Sequence, residues 1–287
     1  VSQLLLAGVI GDPVAHSHSP ALHNAAFTHL GIPARYELWP TSVADLPSRI
    51  ASLRAPHILG ANVTLPHKVR VVPLLDQCEA QVAVIGALNT ISRAADGALL
   101  GANTDSPAFL AALRQDGGYD PAGQAAVILG ASGAARAAAV ALVAAGVDRL
   151  VVVNRTPERA ELLLGDLLAA ADADPQLFAL APDDPQLAEL VAEATLIVNA
   201  TSLGWHPDET PLAAALIPPG ALVFDMVYRQ TLLLREAAAR GARTLDGCGM
   251  LVRQAALSFE RWTGQPAPLD IMRAALGRET LKIADSR

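Results

Sequence analysis

The sequence predicts an α/β protein of two domains, and three observations predict it. Short apolar runs that read as strands alternate with helical stretches over nearly the whole chain. At 287 residues the chain is large for one core and comfortable for two. One segment, 125–154, runs strand, glycine-rich turn, helix, strand, the order of a βαβ unit in a parallel sheet.

Taken in order, LLLAGVIG (4–11) reads as a strand and SPALHNAAFTHLG (19–31) as a helix. Ser19 is placed to cap that helix, Pro20 fits its first position and Gly31 stops it. ARYELWP (34–40) alternates as a strand does, and HILGANVTL (57–65) is another. Pro66 is expected to open a short helix with Lys68 in its first turn. LNTISRA (88–94) and GALLGAN (97–103) make a hairpin around Ala95-Asp96-Gly97. A helix at 106–115 leads to the polar break QDGGYDPAGQ (115–124), which approaches the second domain. There AAVILG, GAARAAAVALVAAG and RLVVVN form the βαβ unit. Further strands follow at 194–202 and 221–227, each after helical sequence, and 249–264 is a final helix ending at Gly264. There is no internal repeat.

The totals exclude several classes. A chain with 52% hydrophobic and 17% charged residues is globular rather than disordered. Its longest apolar runs, such as 137–147, are too short to span a bilayer, and the first residues read as a strand rather than a signal peptide. The net charge of −7 argues against a nucleic-acid surface. Cys78 and Cys248 are the only cysteines and the seven histidines lack metal-ligand spacing, so neither a disulfide framework nor a metal is expected. The expectation is a cytoplasmic protein directed at small molecules, monomer or homodimer.

A phosphate-binding turn needs backbone N–H groups aimed at an anion and glycines that let the chain approach it. LGASGAARA supplies this between a strand and a helix, with Gly130, Ala131, Ser132, Gly133 and Ala134 at the turn. Gly130 and Ala135 match the dinucleotide fingerprint, whereas Ser132 stands where its second glycine is usual. About twenty residues on, a site for NAD places an acid on the ribose. Here the strand ends in Asn154, Arg155 and Thr156, with Arg159 following. Two guanidiniums and no acid suit the 2′-phosphate of NADP.

Polar clusters interrupt the other strands at their ends: HSHSP (16–20), NVTLPHK (62–68), GALNT (86–90) and GANTD (101–105). Strand ends are where α/β sheets bind ligands, and this inventory suits a small molecule rich in hydroxyls. Ser17 and Ser19 at a helix N-terminus suit a carboxylate, or simply a cap. The chain has only two lysines, Lys68 and Lys282, among 21 basic residues. An arginine keeps its proton in a protein, whereas a lysine can exchange one when its surroundings lower its pKa. Asp105 is its natural partner, as the carboxylate of a proton-transfer pair, of a plain salt bridge, or as the cap of the next helix.

These motifs, with NRT, NATS.G, DMVY and DGCGMLVRQA, resemble those of the shikimate dehydrogenases, in matching order over essentially the whole length. The resemblance implies an α/β substrate-binding domain (1–105), a Rossmann-type NADP-binding domain (106–240), and a C-terminal helical segment (241–287) returning to the first domain. It implies NADP as cofactor and reversible reduction of 3-dehydroshikimate to shikimate, a step of aromatic biosynthesis. Lys68 and Asp105 would be the catalytic pair. Ser17 and Ser19 would hold the substrate carboxylate, with Asn62, Thr64, Asn89, Tyr228 and Gln254 around the ring hydroxyls. On the cofactor side would stand residues 130–134, Asn154 to Arg159, and Met226 and Gly247 near the nicotinamide.

Departures from the family pattern are Ala102, Ser106 and Pro107 around NTD, Ser132 in the turn, Trp205 after NATS.G and Gln230 after DMVY. None removes a proton-transfer group. Two other readings stay open. One is a quinate/shikimate dehydrogenase of relaxed substrate and cofactor choice; the other is a non-catalytic sensor of the ligand or of NADP.

Overall fold

The computed structural model describes residues 3–168 and 175–285. In chain order its elements begin β1 (Leu5–Gly11), α1 (Ser19–His29), β2 (Ala34–Pro40), α2 (Leu46–Ser52), β3 (Ile58–Val63), β4 (Gln77–Cys78), α3 (Ala80–Ile85), β5 (Thr90–Arg93) and β6 (Leu99–Ala102). They continue α4 (Asp105–Gln115), β7 (Ala125–Leu129), α5 (Gly133–Ala144), β8 (Arg149–Val153), α6 (Pro157–Leu168), β9 (Gln176–Leu180), α7 (Leu187–Ala192), β10 (Leu196–Asn199), β11 (Leu222–Asp225), α8 (Leu232–Ala239), β12 (Arg243–Leu245), α9 (Cys248–Thr263) and α10 (Leu269–Asp285). Two compact units result: Val1–Thr104 with Val252–Arg287, and Asp105–Leu251.

The first unit holds a six-stranded mixed sheet in the order β2-β1-β3-β5-β6-β4. β1 pairs in parallel with β2 and β3, while β5 is antiparallel to both β3 and β6. The β5–β6 hairpin turns at Gly97, whose φ of +91° requires glycine. Asp96 Oδ1 accepts the Ala98 N–H at 2.9 Å and locks the turn. Ile10, Ile50, Val63, Leu88, Ile91 and Leu99 form one core cluster. The C-terminal helices return here: α10 packs on α1, and Trp262 of α9 donates its indole N–H to the Ile91 carbonyl at 3.0 Å.

Three local expectations change. No α-helix follows Pro66; residues 65–71 are turns that lead to a short 3₁₀ segment, Val72–Leu74. The Lys68 carbonyl accepts from Leu88 N–H at 2.9 Å instead of from a helical neighbour. Ser19 does not cap α1 but is its first residue; Ser17 Oγ accepts the Ser19 N–H at 3.3 Å. The chain also forms a further helix, α10, beyond the one expected at 249–264.

The second unit is an all-parallel six-stranded sheet, β12-β11-β10-β7-β8-β9. Strand order reverses between β7 and β10, and such a switch point is where doubly wound sheets bind ligands. Both faces are covered: Ala126 and Ile128 enter one core cluster while Val127 and Leu129 enter another. That explains apolar runs without alternation. On one face α5 buries Leu142 together with Ala135, Ala138 and Ala139, whose small side chains let it lie close against α4. Phe109 of α4 stacks on Phe224 of β11, centroids 5.3 Å apart.

Candidate active site

In the first unit, the polar residues at the strand ends form one buried hydrogen-bond network. Asn62, in β3, donates from Nδ2 to the Asn89 carbonyl at 3.1 Å and to Ser258 Oγ at 2.9 Å. Asn89 Oδ1 accepts the Thr104 N–H at 2.7 Å, and its Nδ2 donates to Thr104 Oγ1 at 2.9 Å and toward Gln254 Oε1 at 3.4 Å. Thr90 Oγ1 and Ser258 Oγ are 2.8 Å apart. Gln254, Ser258 and Trp262 recur at i+4 on α9 and so present one helix face to these strands. A buried network of this kind specifies its geometry strongly, because each lost partner leaves a desolvated group.

The segment bearing Lys68 is held without a helix. Thr64 N–H donates to the Ile10 carbonyl at 2.8 Å. The buried His67 ring reaches the Thr41 carbonyl through Nε2 at 2.7 Å. With the Leu88 bond to the Lys68 carbonyl, this places the half-buried Lys68 one residue's pairing away from Asn89. Ser17 and Ser19 meet at the start of α1, and Ser19 is buried.

In the second unit, Gly130 follows β7 with φ +103°, and a Cβ there would press on Ala200 and Thr201. Ser132 caps α5: its hydroxyl accepts the Ala135 N–H at 3.3 Å and donates to the Ala200 carbonyl at 2.9 Å. The Ser132 side chain is therefore engaged by protein, while the amides of the first turn of α5 point from the helix N-terminus. Arg155 and Arg159 are exposed beyond β8, and Asn154 Nδ2 donates to the Thr156 carbonyl at 2.8 Å. A glycine-only cradle, a helix N-terminus and two guanidiniums without an acid fit the diphosphate and 2′-phosphate of NADP.

The two remaining motifs of this unit tie together. Buried Asp225 accepts from Asn199 Nδ2 at 2.9 Å, Thr231 Oγ1 at 2.7 Å and Val227 N–H at 3.0 Å. Burial raises its pKa, and those three donors hold the rise back. The turn so fixed carries Met226 and Tyr228. Gly247 N–H bonds the Val227 carbonyl at 3.2 Å, and a Cβ on Gly247 would collide with the Met226 backbone. Tyr228 meets the edge of Trp205, centroids 5.0 Å apart. Burial pushes its phenol up to about 12, so it stays a hydroxyl at neutral pH.

The structure thus joins Asn62, Asn89 and Gln254 in one network, joins Ser17 to Ser19, and sets Met226 against Gly247. Thr64 and Lys68 lie in the same unit as the first group; Asp105 opens the second unit as the first residue of α4. Sequence reading quoted Thr90, Thr104, Asn199 and Asp225 only as members of motifs, with no role of their own, and it missed Tyr36 and Ser258 around Asn62 and Asn89 and Thr231 beside Asp225. The i+4 spacing of Ser258 from Gln254 was the available signal for one of them. Among the described residues, no group of three or more His, Cys, Asp or Glu side chains is placed to hold a metal ion.

A parallel doubly wound unit with a glycine cradle, together with a unit bearing a buried hydroxyl-and-amide network, defines a dinucleotide-dependent oxidoreductase of a small polar substrate. Residues 9–91 match the shikimate dehydrogenase substrate binding domain, 112–204 the shikimate / quinate 5-dehydrogenase family and 247–276 the shikimate 5′-dehydrogenase C-terminal domain. The chain belongs to the shikimate dehydrogenase family. It is 44% identical to the shikimate dehydrogenase (NADP(+)) of Symbiobacterium thermophilum over 94% of its own length and 92% of the relative's. A solved shikimate 5-dehydrogenase of Thermus thermophilus, in complex with NADP(H) and shikimate, is 40% identical with TM-score 0.84, covering 96% of this chain and 99% of that one. A quinate dehydrogenase of Corynebacterium glutamicum in complex with NAD is 31% identical with TM-score 0.85, over 95% and 98%.

Proposed function

We propose that this enzyme catalyses the reversible NADPH-dependent reduction of 3-dehydroshikimate to shikimate, in aromatic amino-acid biosynthesis. The observation that carries the reading is its likeness, at 40% identity over 96% of the chain, to the Thermus enzyme that holds both NADP(H) and shikimate. When bound, NADP supplies or accepts the hydride at its nicotinamide. Lys68 gives a proton to the carbonyl oxygen of 3-dehydroshikimate as that carbon is reduced, and takes it back in the reverse direction. Asp105 orients the ammonium and balances its charge. Ser17 and Ser19 hold the substrate carboxylate, and Asn62, Thr64, Asn89, Tyr228 and Gln254 hold the ring hydroxyls. Residues 130–134 take the diphosphate, Asn154, Arg155, Thr156 and Arg159 the 2′-phosphate side, and Met226 and Gly247 flank the nicotinamide. Two unpaired cysteines, Cys78 and Cys248, suit the reducing cytoplasm.

The NAD-bound quinate relative supports a broader dehydrogenase as the second reading. Against it stand Arg155 and Arg159, which suit a 2′-phosphate, and the lack of an acid at Asn154. Initial rates with shikimate and with quinate, each offered NADP and NAD, separate the two. Rates confined to shikimate with NADP support the proposal; comparable rates with quinate or NAD move the assignment. No rate in any combination, from folded protein that binds NADP, points to a sensor. Lys68→Ala is expected to lower turnover by about 10²- to 10⁴-fold, and near-normal turnover refutes its role.

A further inference from the structure

Behind the polar network of the first unit stands Tyr36 of β2, 2% exposed. Its position is over-determined. Asn24 brackets its backbone, donating from Nδ2 to the Tyr36 carbonyl at 3.0 Å and accepting the Tyr36 N–H at 2.8 Å. Its ring stacks on His23 at 4.4 Å with the planes only 8° apart, and Trp262 lies at 6.0 Å. From that frame the Tyr36 hydroxyl reaches Asn62 Oδ1 at 2.8 Å.

The direction of this bond follows from the far side of the amide. The Asn89 carbonyl can only accept, so the Asn62 atom 3.1 Å from it must be Nδ2. Ser258 Oγ gives its own proton to the Gln254 carbonyl at 3.0 Å, so it too accepts from Nδ2. Oδ1 must then face Tyr36, and the phenol must donate. Remove that hydroxyl and a buried carbonyl oxygen loses the hydrogen-bond donor that holds it toward β2.

We propose that Tyr36 is a positioning residue of the substrate-binding cluster: its hydroxyl fixes the orientation of the Asn62 amide, and through it the bonds to Asn89, Thr90 and Ser258. The inference rests on the reading that Asn62 and Asn89 serve the substrate. Tyr36 itself need not touch the ligand.

The test is a double-mutant cycle on the full chain, with Tyr36→Phe, Asn62→Ala and the double variant, in steady-state kinetics with shikimate and NADP. For Tyr36→Phe the shikimate KM is expected to rise about threefold to tenfold, the range of one buried hydrogen bond. Turnover should stay within about twofold and the NADP KM should not move, a split that general loosening of the fold would not produce. In the Asn62→Ala background, Tyr36→Phe should change the shikimate KM less than about twofold, because no amide remains to orient. A single-variant KM within twofold of the parent overturns the proposal. So does a rise that persists undiminished beside Asn62→Ala. If Asn62→Ala alone leaves the shikimate KM unchanged, the placement of Asn62 at the substrate falls first, and this inference with it. Ser258→Ala removes the opposite partner of the same amide and is held to the same criteria should Tyr36→Phe not fold.

Discussion

His23 makes the stability of the first unit sensitive to mild acid. The ring is fully buried in α1, and neither of its nitrogens has a hydrogen-bond partner. Its surroundings are aromatic: Tyr36 at 4.4 Å, Trp262 at 5.1 Å, and Phe27 and Phe259 each at 6.5 Å. Burial lowers its pKa from 6.5 to about 3, against a lesser opposing effect of the nearby Asn62 side chain. The folded chain therefore resists a proton that the unfolded chain takes up below pH 6.5. Stability from this source is complete above that pH and is lost as the pH falls toward the folded value. Each pH unit within the window costs about 1.4 kcal/mol, so pH 5 costs about 2 kcal/mol and the whole window about 5 kcal/mol. The assay is urea unfolding near pH 7.5 and near pH 5, of the parent chain and of His23→Phe, which keeps a ring in the stack and cannot be protonated. Other titrating groups contribute to both chains alike, so the difference isolates the imidazole. The parent is expected to lose about 2 kcal/mol more than the variant on acidification. Equal losses refute the reasoning, whatever the absolute stabilities.

Other expectations follow from the second unit and from the sheet of the first. Replacing Arg155 and Arg159 together with Ala should raise the NADP KM by about tenfold to a hundredfold, the scale of lost charge-assisted bonds, with little effect on NAD; equal effects on both cofactors would exclude a 2′-phosphate role. Ser132→Ala should cost about 1 kcal/mol of stability as a lost helix cap and change the NADP KM less than about threefold, since the hydroxyl is already engaged by Ala200 and Ala135. A large cofactor effect would show that Ser132 contacts the phosphate directly. Gly60→Ala would drive a methyl into the Ile91 carbonyl and the Trp262 indole. It should destabilise by about 1–3 kcal/mol or more, lowering the melting temperature while leaving NADP binding intact.

The second unit was more legible than the first, for a physical reason. Its strands are buried on both faces and joined by helices, so 125–154 shows its order in the bare alternation of apolar runs and glycine. In the first unit local signals compete with tertiary ones. Pro66 and the residues after it look like a helix start, yet the Lys68 carbonyl is taken by Leu88 and no helix forms. β4 is two residues long and exists only because β6 pairs with it. Among the candidate site residues, those in strand-end motifs were visible because polar residues interrupt apolar runs there. Their supports were not: Asn62 and Ser258 are 196 residues apart in sequence, and Tyr36 reads as an ordinary strand aromatic. Only packing reveals that both hold the same amide.

The helix that does not form after Pro66 bears on why position 68 holds a lysine. In a helix, the Lys68 carbonyl would accept from residue 72, and the side chain would share the freedom of an exposed first turn. Instead, Leu88 takes that carbonyl, His67 anchors on Thr41, and Thr64 anchors on β1, so three separate parts of the unit fix the backbone at Lys68. The neighbour of Leu88 is Asn89, the centre of the polar network, and the same bond therefore registers the ammonium-bearing segment against it. In a chain that uses arginine for almost every other cation, this anchoring falls on one of only two lysines. Positional constraint of this kind is what the role proposed for Lys68 requires, because a group that transfers a proton must be held within reach of the reacting atom.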